Sequence, residues 1–381
     1  MRVVDVDSHF YEPLDWLGES FPKLKSQLPP LSHTEFIFQF VARDLLDGLP
    51  PELRPKHDMD LTPGIREFFD KIPSEEQLTE MYRHEPAYSL PDARVKLCDE
   101  QGIDVQLINT NWGLMPYMKA QEIGRQDLAV EIAEAYNTWA TDRLHGYTDR
   151  LIPIAILDLA DVPRAVVELT RIREAGCRAF GIKPQPVSAN RSLTHPDVEP
   201  LWSAAEDLGM IAIFHTGPSG PAQIDPAWIA NAGNPATFAL LNRMAGPAVK
   251  VALAAMVFDG VFERHPKLVA IVEELGIGWL PHFLRSMDAA VGGRGATGYE
   301  QPLKPSEYIQ RQVRVAALAS TDQLETVLGQ VPPELVIFSS DYPHPEGTRN
   351  PFRVFDEQLN GQGDELREQF YGGSISQLIE L

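Results

Sequence analysis

The feature that most constrains the fold is an alternation along the chain of short apolar runs and longer segments with helical periodicity. Eight runs rich in Val, Ile, Leu and Phe have the length and composition of buried strands. This alternation is typical of parallel βαβ units. We expect strands over residues 2–6, 103–109, 151–157, 178–183, 210–215, 268–273, 313–317 and 335–339.

Helices are expected between these strands, over residues 91–101, 126–144, 162–175, 199–208, 242–265 and 321–329. Eight strand and helix pairs favour a closed barrel. No glycine-rich phosphate-binding turn follows the first strand, as an open dinucleotide-binding sheet would require. We therefore predict one α/β domain, a (β/α)8 TIM barrel, over residues 1–381.

One long insertion, residues 11–91, follows the first predicted strand. It contains a proline-dense stretch at 49–55 and scattered phenylalanines between 36 and 69. Long loops after barrel strands lie on the active face, so one interpretation is a lid over a substrate. A surface subdomain or a subunit contact is the other. Residues 217–234 and 292–305 are further long connections, the first of them expected over the barrel mouth.

Composition excludes several classes of protein. The chain has 33 basic and 54 acidic residues, and its formal charge of -21 repels nucleic acid and anionic membranes. Cys98 and Cys177 lie far apart in the sequence, which favours buried thiols over a disulfide. The chain has neither a signal-peptide pattern nor an apolar run long enough to cross a membrane. We expect a soluble, cytoplasmic protein.

Polar residues stand at the carboxyl ends of four predicted strands, where barrels build their active sites. Asp7 and His9 follow the first strand, His215 ends the fifth, Glu274 follows the sixth and Asp341 follows the eighth. Each of these residues alone could equally cap a turn or contact a carbonyl group. Four such strand endings in one barrel favour a shared metal site.

The candidate ligands are two imidazoles and two carboxylates, from Asp7, His9, His215 and Asp341. Such a mixed set, with a position left for water or substrate, is typical of a catalytic zinc site. It also suits manganese, so we predict Zn²⁺ with Mn²⁺ as the alternative. His344, three residues after Asp341, is a candidate acid, or else a turn histidine without a role.

Several basic residues are candidates for contacts with the substrate or the metal. Lys183 ends the fourth predicted strand and could be a bridging or charge-pairing lysine. Arg54, Arg178 and Arg285 are candidates for binding a substrate carboxylate. The sequence alone does not place any of them.

Five segments, VDVDSHFYEP, DARVKLCDEQGIDVQLI, FHTG, FERHPKLVAIVEELGIGWLPHFLRSMD and FSSDYPHPEG, occur in this order. Together they resemble the amidohydrolase-2 family, in the branch of the amidohydrolase superfamily that includes aminocarboxymuconate semialdehyde decarboxylase. The resemblance implies a (β/α)8 barrel with a mononuclear zinc or manganese centre, and a homodimer or larger oligomer. By this resemblance Asp7, His9 and His215 take the places of the first three metal ligands, and Asp341 that of the aspartate after the eighth strand.

The chain departs from this family pattern at the end of the sixth strand. The decarboxylases carry a histidine there that is thought to assist proton transfer, whereas this chain has Glu273 and Glu274. Glu274 falls nearest to the place of that histidine. We therefore expect Glu274, Asp341 and His344 to be the catalytic residues, acting as acids or bases.

Three functions remain open from the sequence. The first is a metal-dependent decarboxylase, a carbon–carbon lyase, of an aromatic or muconate-like acid. The second is a metal-dependent hydrolase of a lactone, amide or carbon–carbon bond in a ring-derived acid. The third is a barrel without catalytic activity that serves as a binding protein. For the two enzymes, the expected partner is a small carboxylic acid or aromatic substrate.

Overall fold

The computed structural model describes residues 2–32, 74–187, 190–215, 247–292, 298–344 and 347–378. Within these ranges, eight parallel strands follow one another around the sheet in sequence order. They are β1 Val4–His9, β2 Val105–Asn109, β3 Leu151–Ile156, β4 Ala179–Gly181, β5 Ile211–His215, β6 Val269–Glu273, β7 Val313–Ala316 and β8 Val336–Ile337.

The last strand returns to the first and closes the sheet. A parallel bridge joins Ser8 to Tyr342, and the Asp341 backbone N–H donates to the Asp7 carbonyl at 2.8 Å. The predicted (β/α)8 barrel is therefore confirmed. The carboxyl ends of its strands form one face, on which side chains distant in sequence meet.

Helices lie between the strands and over the barrel ends. They are α1 Trp16–Ser20, α2 Pro22–Lys25, α3 Glu75–His84, α4 Pro91–Gln101, α5 Leu114–Glu122, α6 Gln126–Arg143, α7 Val162–Glu174, α8 Glu199–Leu208, α9 Pro247–Phe258, α10 Val261–Arg264, α11 Leu280–Gly292, α12 Pro305–Gln312, α13 Leu324–Leu328, α14 Pro351–Leu359, α15 Asp364–Glu368 and α16 Ser374–Ser376. Short 3₁₀ turns occur at Pro86–Tyr88, Pro196–Val198 and Pro333–Leu335, and a π turn at Gln369–Gly373.

Most of the predicted elements are present, with differences at their ends. The helix α4 has the predicted bounds, and Gly102 ends it in the left-handed conformation, with φ 77°. The predicted helix over 242–265 is two helices in its described part, because the chain turns at Gly260, where φ is 76°. The strand β4 ends at Gly181, so Lys183 lies beyond the sheet.

The strand β1 is longer than predicted and contains a bulge. It runs to His9, and its register against β2 shifts between Asp5 and Ser8. Val4 and Val6 lie in the apolar cluster inside the barrel, whereas Asp5 bonds to Gln106 on the outer face of β2. Because a bulge inserts one residue into the alternation, Asp7 joins the inner face with Val6, and His9 follows it there.

The interior of the barrel is apolar up to the level of these polar residues. Paired side chains from successive strands fill it, among them Val105 and Leu107, Ile152 and Ile154, Ile211 and Ile213, and Val269 and Ile271. A second layer of buried side chains packs the helices onto the outside of the strands. Burial of this much apolar surface makes the barrel a rigid support for the residues at its mouth.

The described part of the insertion packs at the barrel mouth. Trp16 and Leu17 of α1 lie in one apolar cluster with Tyr136 of α6. Leu78 of α3 lies in another with Trp112. Residues 33–73, with the proline-dense stretch and the phenylalanines, lie outside the described residues, as do 216–246 and 293–297. Whether the insertion is a lid or a subunit contact stays a prediction.

Two further expectations concern the cysteines and membranes. Cys98 and Cys177 are both buried, free thiols, as predicted. Among the helices that the structure describes, none is long and apolar enough to span a bilayer.

Candidate metal centre

Two strands, β1 and β5, and the segment after β8 bring the four predicted ligands together. His9 Nε2 lies 3.3 Å from Asp7 Oδ1 and 3.5 Å from Asp341 Oδ1. His215 Nε2, at the end of β5, lies 3.3 Å from His9 Nε2 and 3.7 Å from Asp7 Oδ1. Asp7, His9 and His215 form one group of ligand atoms within 4.8 Å of one another, and His9, Asp341 and His344 form a second. Two donor atoms at about 2.1 Å from one ion, at tetrahedral angles, are about 3.4 Å apart, so the spacings within either group suit a divalent cation.

The hydrogen bonds of His9 also suit a metal ligand. Its Nδ1 lies 3.3 Å from the Thr110 carbonyl, to which a protonated Nδ1 donates. This contact leaves the lone pair of Nε2 pointing toward the other three ligands. Burial, together with the charge of nearby His344, lowers the pKa of His9 to about 3, so the imidazole is neutral at pH 7.

Asp7 lies at the bottom of the site beside a second carboxyl group. Asn109 Nδ2 donates to Asp7 Oδ1 at 3.0 Å and to Glu273 Oε2 at 2.8 Å. Burial would raise the pKa of Asp7, but His215 and His9 outweigh it and hold the pKa well below its usual range. Burial and the charge of Asp7 raise the pKa of Glu273 far above its usual range. The pKa values of the two neighbouring carboxyls are thus shifted in opposite directions.

One oxygen of Asp7 supports the metal interpretation directly. Asp7 Oδ2 is buried and accepts no hydrogen bond from the residues that the structure describes. An ionised carboxylate oxygen in a buried position costs free energy unless a cation or a donor satisfies it. A divalent cation among these donor atoms would supply that partner. The residues present therefore fit a bound metal ion.

Two residues at the mouth have a strained backbone. Glu274 and Asp341 adopt positive φ angles of 56° and 51°. Non-glycine residues rarely adopt this conformation, and such strain concentrates at functional sites. The Asp341 turn also requires Gly347, because a Cβ atom there would lie 2.2 Å from the Asp341 carbonyl oxygen.

The three predicted catalytic residues lie around the same point. Glu274 Oε2 lies 3.2 Å from His215 Nε2. His344 Nδ1 lies 2.9 Å from Asp341 Oδ1, and its ring lies 3.8 Å from that of His9, centroid to centroid. The structure thus brings Glu274, His344 and the four predicted ligands together at one end of the barrel, while Glu273 points to Asn109 and Asp7 beneath them. Their catalytic roles stay predictions.

A buried polar layer supports the site from behind, and sequence reasoning missed it. Ser340 donates to Asp5 through its backbone N–H at 2.8 Å and its hydroxyl at 2.6 Å. Gln106 Nε2 donates to Asp5 Oδ2, and Arg94 of α4 donates to Gln106 Oε1. Arg94 also donates to the carbonyl of His9 at 2.7 Å. This network holds the backbone of both β1 and the Asp341 turn.

The pKa values of this layer reflect its burial. Burial raises the pKa of Asp5 to about 7, although hydrogen bonds from Ser340 and Gln106 oppose the shift. Burial lowers the pKa of Arg94 to about 10, so its guanidinium remains charged at pH 7. The sequence signal that could have identified Asp5 is a carboxylate inside a run of valines, Val3-Val4-Asp5-Val6. For Arg94 there is no comparable signal, because charged helix residues are usually exposed.

A second missed carboxylate, Glu12, organises the segment after β2. Its oxygens accept from the Thr110 hydroxyl at 2.8 Å, from the Tyr136 hydroxyl at 2.9 Å and from the backbone N–H groups of Asn111 and Gly113. Thr110 in turn supplies the carbonyl that orients His9. Glu12 therefore acts on the site through Thr110.

Of the arginines considered as substrate contacts, Arg178 lies away from the mouth. Arg178 precedes β4 and donates to the Cys177 carbonyl at the opposite end of the barrel, so that proposal was wrong. The side chain of Arg285 is exposed on α11. Arg54 lies outside the described residues.

A cavity adjoins the candidate ligands on the side of β3 and β4. His9, His215, Asn109 and Lys183 are among the residues that line it. Its walls are apolar side chains, Leu114, Ile154, Ile156, Leu157, Ile182 and Ile213. The cavity has a volume of about 60 Å³, and apolar walls with a few polar groups are typical of small-molecule sites.

A (β/α)8 barrel with two imidazoles and two carboxylates converging at its carboxyl-terminal face has the architecture of a metal-dependent barrel enzyme. The family model described as amidohydrolase matches residues 4–375, and the chain belongs to this family. The predicted family is confirmed.

Known proteins similar to this chain agree with that assignment. The 2-amino-3-carboxymuconate-6-semialdehyde decarboxylase of Dictyostelium discoideum is 23% identical over 297 residues, which are 76% of this chain and 77% of the relative. An amidohydrolase from Mycobacterium avium subsp. paratuberculosis superposes with a TM-score of 0.73 at 24% identity, covering 100% of this chain and 99% of its own.

A third similar structure holds both a metal and a small acid. It is the 5-carboxyvanillate decarboxylase of Novosphingobium aromaticivorans, complexed with manganese and 4-hydroxy-3-methoxy-5-nitrobenzoic acid. It matches with a TM-score of 0.64 at 16% identity, covering 100% of this chain and 96% of its own. At such identities, the structural likeness establishes the barrel fold.

Proposed function

We propose that this protein is a metal-dependent decarboxylase of an aromatic or muconate-like carboxylic acid. The observation that carries the proposal is the pairing of four convergent ligand side chains, Asp7, His9, His215 and Asp341, with an apolar cavity beside them. Membership of the amidohydrolase family and the decarboxylase activities named for similar proteins support it.

Asp7, His9, His215 and Asp341 would hold the metal ion. When bound, a divalent cation supplies a Lewis acid that holds an oxygen of the acid and withdraws electron density from it. Zinc and manganese both suit this donor set, and the manganese in a similar decarboxylase favours Mn²⁺ as the first ion to test.

The residues of the chain have to supply one proton to carbon. In decarboxylation the bond between the ring and the carboxylate breaks, its electron pair stays on the ring carbon, a proton adds to that carbon, and carbon dioxide leaves. Glu274, which is about 10% exposed and lies beside His215, stands at the mouth where it can hold this proton. His344, hydrogen-bonded to Asp341, is the second candidate donor.

The apolar walls of the cavity assist the same reaction. Leu157, Ile156 and Ile182 exclude water from the ring, which disfavours attack by water and favours loss of an uncharged product. Asn109 and Thr110 form hydrogen bonds to Asp7 and His9 and hold these two ligands in place. The apolar walls then orient the ring of the substrate.

The experiment compares carbon dioxide release with water incorporation. Protein loaded with manganese or zinc is incubated with hydroxybenzoates, carboxylated phenols and lactones, and ¹⁸O from labelled water is traced in the products. Carbon dioxide release without ¹⁸O in the organic product is expected. Incorporation of ¹⁸O would instead support the hydrolase alternative, which Glu274 in place of the histidine keeps open. If the purified protein contains neither zinc nor manganese, both the decarboxylase and the hydrolase hypotheses are contradicted.

Assembly and location belong to the same proposal. A homodimer and a cytoplasmic location are retained as predictions, the first from the family resemblance and the second from the two free, buried cysteines. Sedimentation of the purified chain tests the homodimer.

A further inference from the structure

Glu12 is a buried carboxylate at the mouth that gathers hydrogen bonds from the segment after β2. Its Oε1 atom accepts from the hydroxyls of Thr110 at 2.8 Å and Tyr136 at 2.9 Å. Its Oε2 atom accepts from the backbone N–H groups of Asn111 at 3.1 Å and Gly113 at 3.2 Å. This one side chain therefore holds the turn of residues 110–113, which connects β2 to α5.

The same turn faces the imidazole of His9. The Thr110 carbonyl lies 3.3 Å from His9 Nδ1. A neutral imidazole carries one ring proton, and a carbonyl oxygen can only accept, so this contact requires the proton on Nδ1. The Nε2 lone pair is then available to an ion.

The backbone of His9 is held by groups other than Glu12. Its N–H donates to the Tyr342 carbonyl at 2.7 Å, and its carbonyl accepts from Arg94 at 2.7 Å. The Thr110 carbonyl contacts the ring and not this backbone. A shift of the turn should therefore release or rotate the imidazole while β1 stays in place.

Close packing fixes the turn against Glu12. A Cβ atom on Gly113 would lie 2.2 Å from Thr110 Oγ1 and 2.3 Å from Tyr136 Cε2, far inside van der Waals contact. The turn can approach these two side chains only because residue 113 is glycine. The spacing of the donors is thus matched to a side chain of the length of Glu12.

The donors around Glu12 are of two kinds, and this division indicates which property of the side chain matters. Backbone N–H groups only donate, so the atom at the Oε2 position has to be an acceptor. Hydroxyls donate or accept, so the atom at the Oε1 position can be either. A side chain of the same length with one oxygen therefore keeps the turn, whether or not it is charged. Burial raises the pKa of Glu12, which agrees with a role that does not require the charge.

From this geometry we propose that Glu12 is a positioning residue, which holds residues 110–113 so that the Thr110 carbonyl accepts the Nδ1 proton of His9 and Nε2 is directed to the metal ion. The inference rests on the proposed function in one respect, the binding of an ion by His9. Within the described residues, Glu12 belongs to neither group of ligand atoms. Metal affinity thus depends on the length and hydrogen bonds of a residue that is not itself a candidate ligand.

Two variants of Glu12 separate its length from its charge. Glu12→Gln keeps the length and loses the charge, whereas Glu12→Asp keeps the charge and is one methylene shorter. Titration of the metal-free full chain with Mn²⁺ measures the affinity. Glu12→Gln should bind Mn²⁺ within about threefold of the wild type. Glu12→Asp should bind it about 10- to 100-fold more weakly, as for the loss of a group that orients a ligand.

Nuclear magnetic resonance of the zinc-loaded protein reads the proposed contact itself. The His9 Nδ1–H proton, identified by its nuclear Overhauser contacts to Thr110, should give a downfield resonance in the wild type and in Glu12→Gln. In Glu12→Asp this resonance should move upfield or broaden by exchange with water, because its acceptor has moved. A side chain that only stabilises the fold would not change it in the folded protein.

Control variants separate this role from general damage. Glu19→Gln and Glu19→Asp, at an exposed position on α1, should leave the affinity and the resonance unchanged. Glu168→Gln alters a buried carboxylate on α7 that accepts from Asn137 and Arg171. It should lower the thermal midpoint and keep the Mn²⁺ affinity.

Several outcomes would overturn the assignment. They are a Mn²⁺ affinity in Glu12→Asp equal to that of the wild type, weaker binding by Glu12→Gln than by Glu12→Asp, or an unchanged His9 resonance in Glu12→Asp. A wild type that binds neither manganese nor zinc would overturn it together with the proposed function. If the variants follow the expected order but no acid releases carbon dioxide, the decarboxylase function fails and the role of Glu12 stands.

Discussion

The two sides of the barrel mouth are built from different kinds of side chain. On the side of β1, β5, β6 and the segment after β8, titratable groups lie within hydrogen-bond distance of one another, and strained backbone holds two of them. On the side of β3 and β4 the walls of the cavity are mostly apolar, and Lys183 is among the residues that line it. Ion binding and substrate shape are thus separated in space, and variants on the two sides should have separable effects.

The largest effect is expected from removing a ligand. His9→Ala or His215→Ala should lower the metal content well below about one ion per chain and abolish activity. Only three ligand side chains remain in each variant, and without the ion the buried carboxylate of Asp7 has no cation beside it. Metal analysis by mass spectrometry and an activity assay check this. His282→Ala, at an exposed position on α11, is the matched control. Full metal content in both ligand variants would show that the two histidines do not bind the ion.

The second-largest effect is expected at Glu274, which lies on the ligand side of the mouth but is not expected to bind the metal ion. Glu274→Gln should keep the metal and lower kcat by about 10²- to 10⁴-fold, because the proton it holds is lost. The plot of kcat against pH should lose the rise or fall that the titration of Glu274 causes. The exposed Glu300→Gln serves as control. An unchanged kcat would move the proton donor to His344.

Behind the polar side, the buried support layer should contribute to stability and metal affinity together. Arg94→Met leaves the carbonyls of His9 and Ala87 without their donor and should lower the free energy of unfolding by about 3 kcal/mol. Metal affinity should fall about 10- to 100-fold. Urea unfolding and metal titration measure the two effects. Arg125→Met, which removes an exposed ion pair with Asp127, should cost less than about 1 kcal/mol.

A smaller and different effect is expected on the apolar side. Leu157→Ala should raise KM about tenfold and leave the metal content unchanged, because it enlarges the cavity without touching a ligand. Leu328→Ala, in the outer layer on α13, should leave KM unchanged. Loss of metal in Leu157→Ala would mean that the two sides are not separable.

The two sides of the mouth should not differ in the layer of buried side chains between the strands and the surrounding helices. Cys98 lies on α4, which precedes β2, and Cys177 lies just before β4. Burial raises the pKa of each thiol to about 12. The reactive thiolate is therefore almost absent at pH 8, and below pH 12 each group contributes a neutral thiol in the folded state. Iodoacetamide should label neither cysteine in the native protein and both in urea. Rapid native labelling of one cysteine would identify a locally open region on its side.

Much of this arrangement follows from local sequence. Eight apolar runs alternate with helical periods, and this pattern fixed the barrel because each strand has to be covered by the helix that follows it. Since parallel strands end at one face, the positions of Asp7, His9, His215 and Asp341 at strand ends were enough to predict that they meet. The prediction of buried, free thiols followed from the wide separation of the two cysteines and from their places in a predicted helix and a predicted strand.

The tertiary structure alone decided which polar groups share the site. Alternation in β1 would place Asp5, Asp7 and His9 on one face, but the bulge sends Asp5 outward to Gln106 and Ser340 and leaves Asp7 with His9. Of the adjacent Glu273 and Glu274, the first bonds to Asn109 beneath the site and the second reaches His215. The burial of Arg94 and the approach of Lys183 to the cavity depend on packing between distant segments, which local periodicity does not encode.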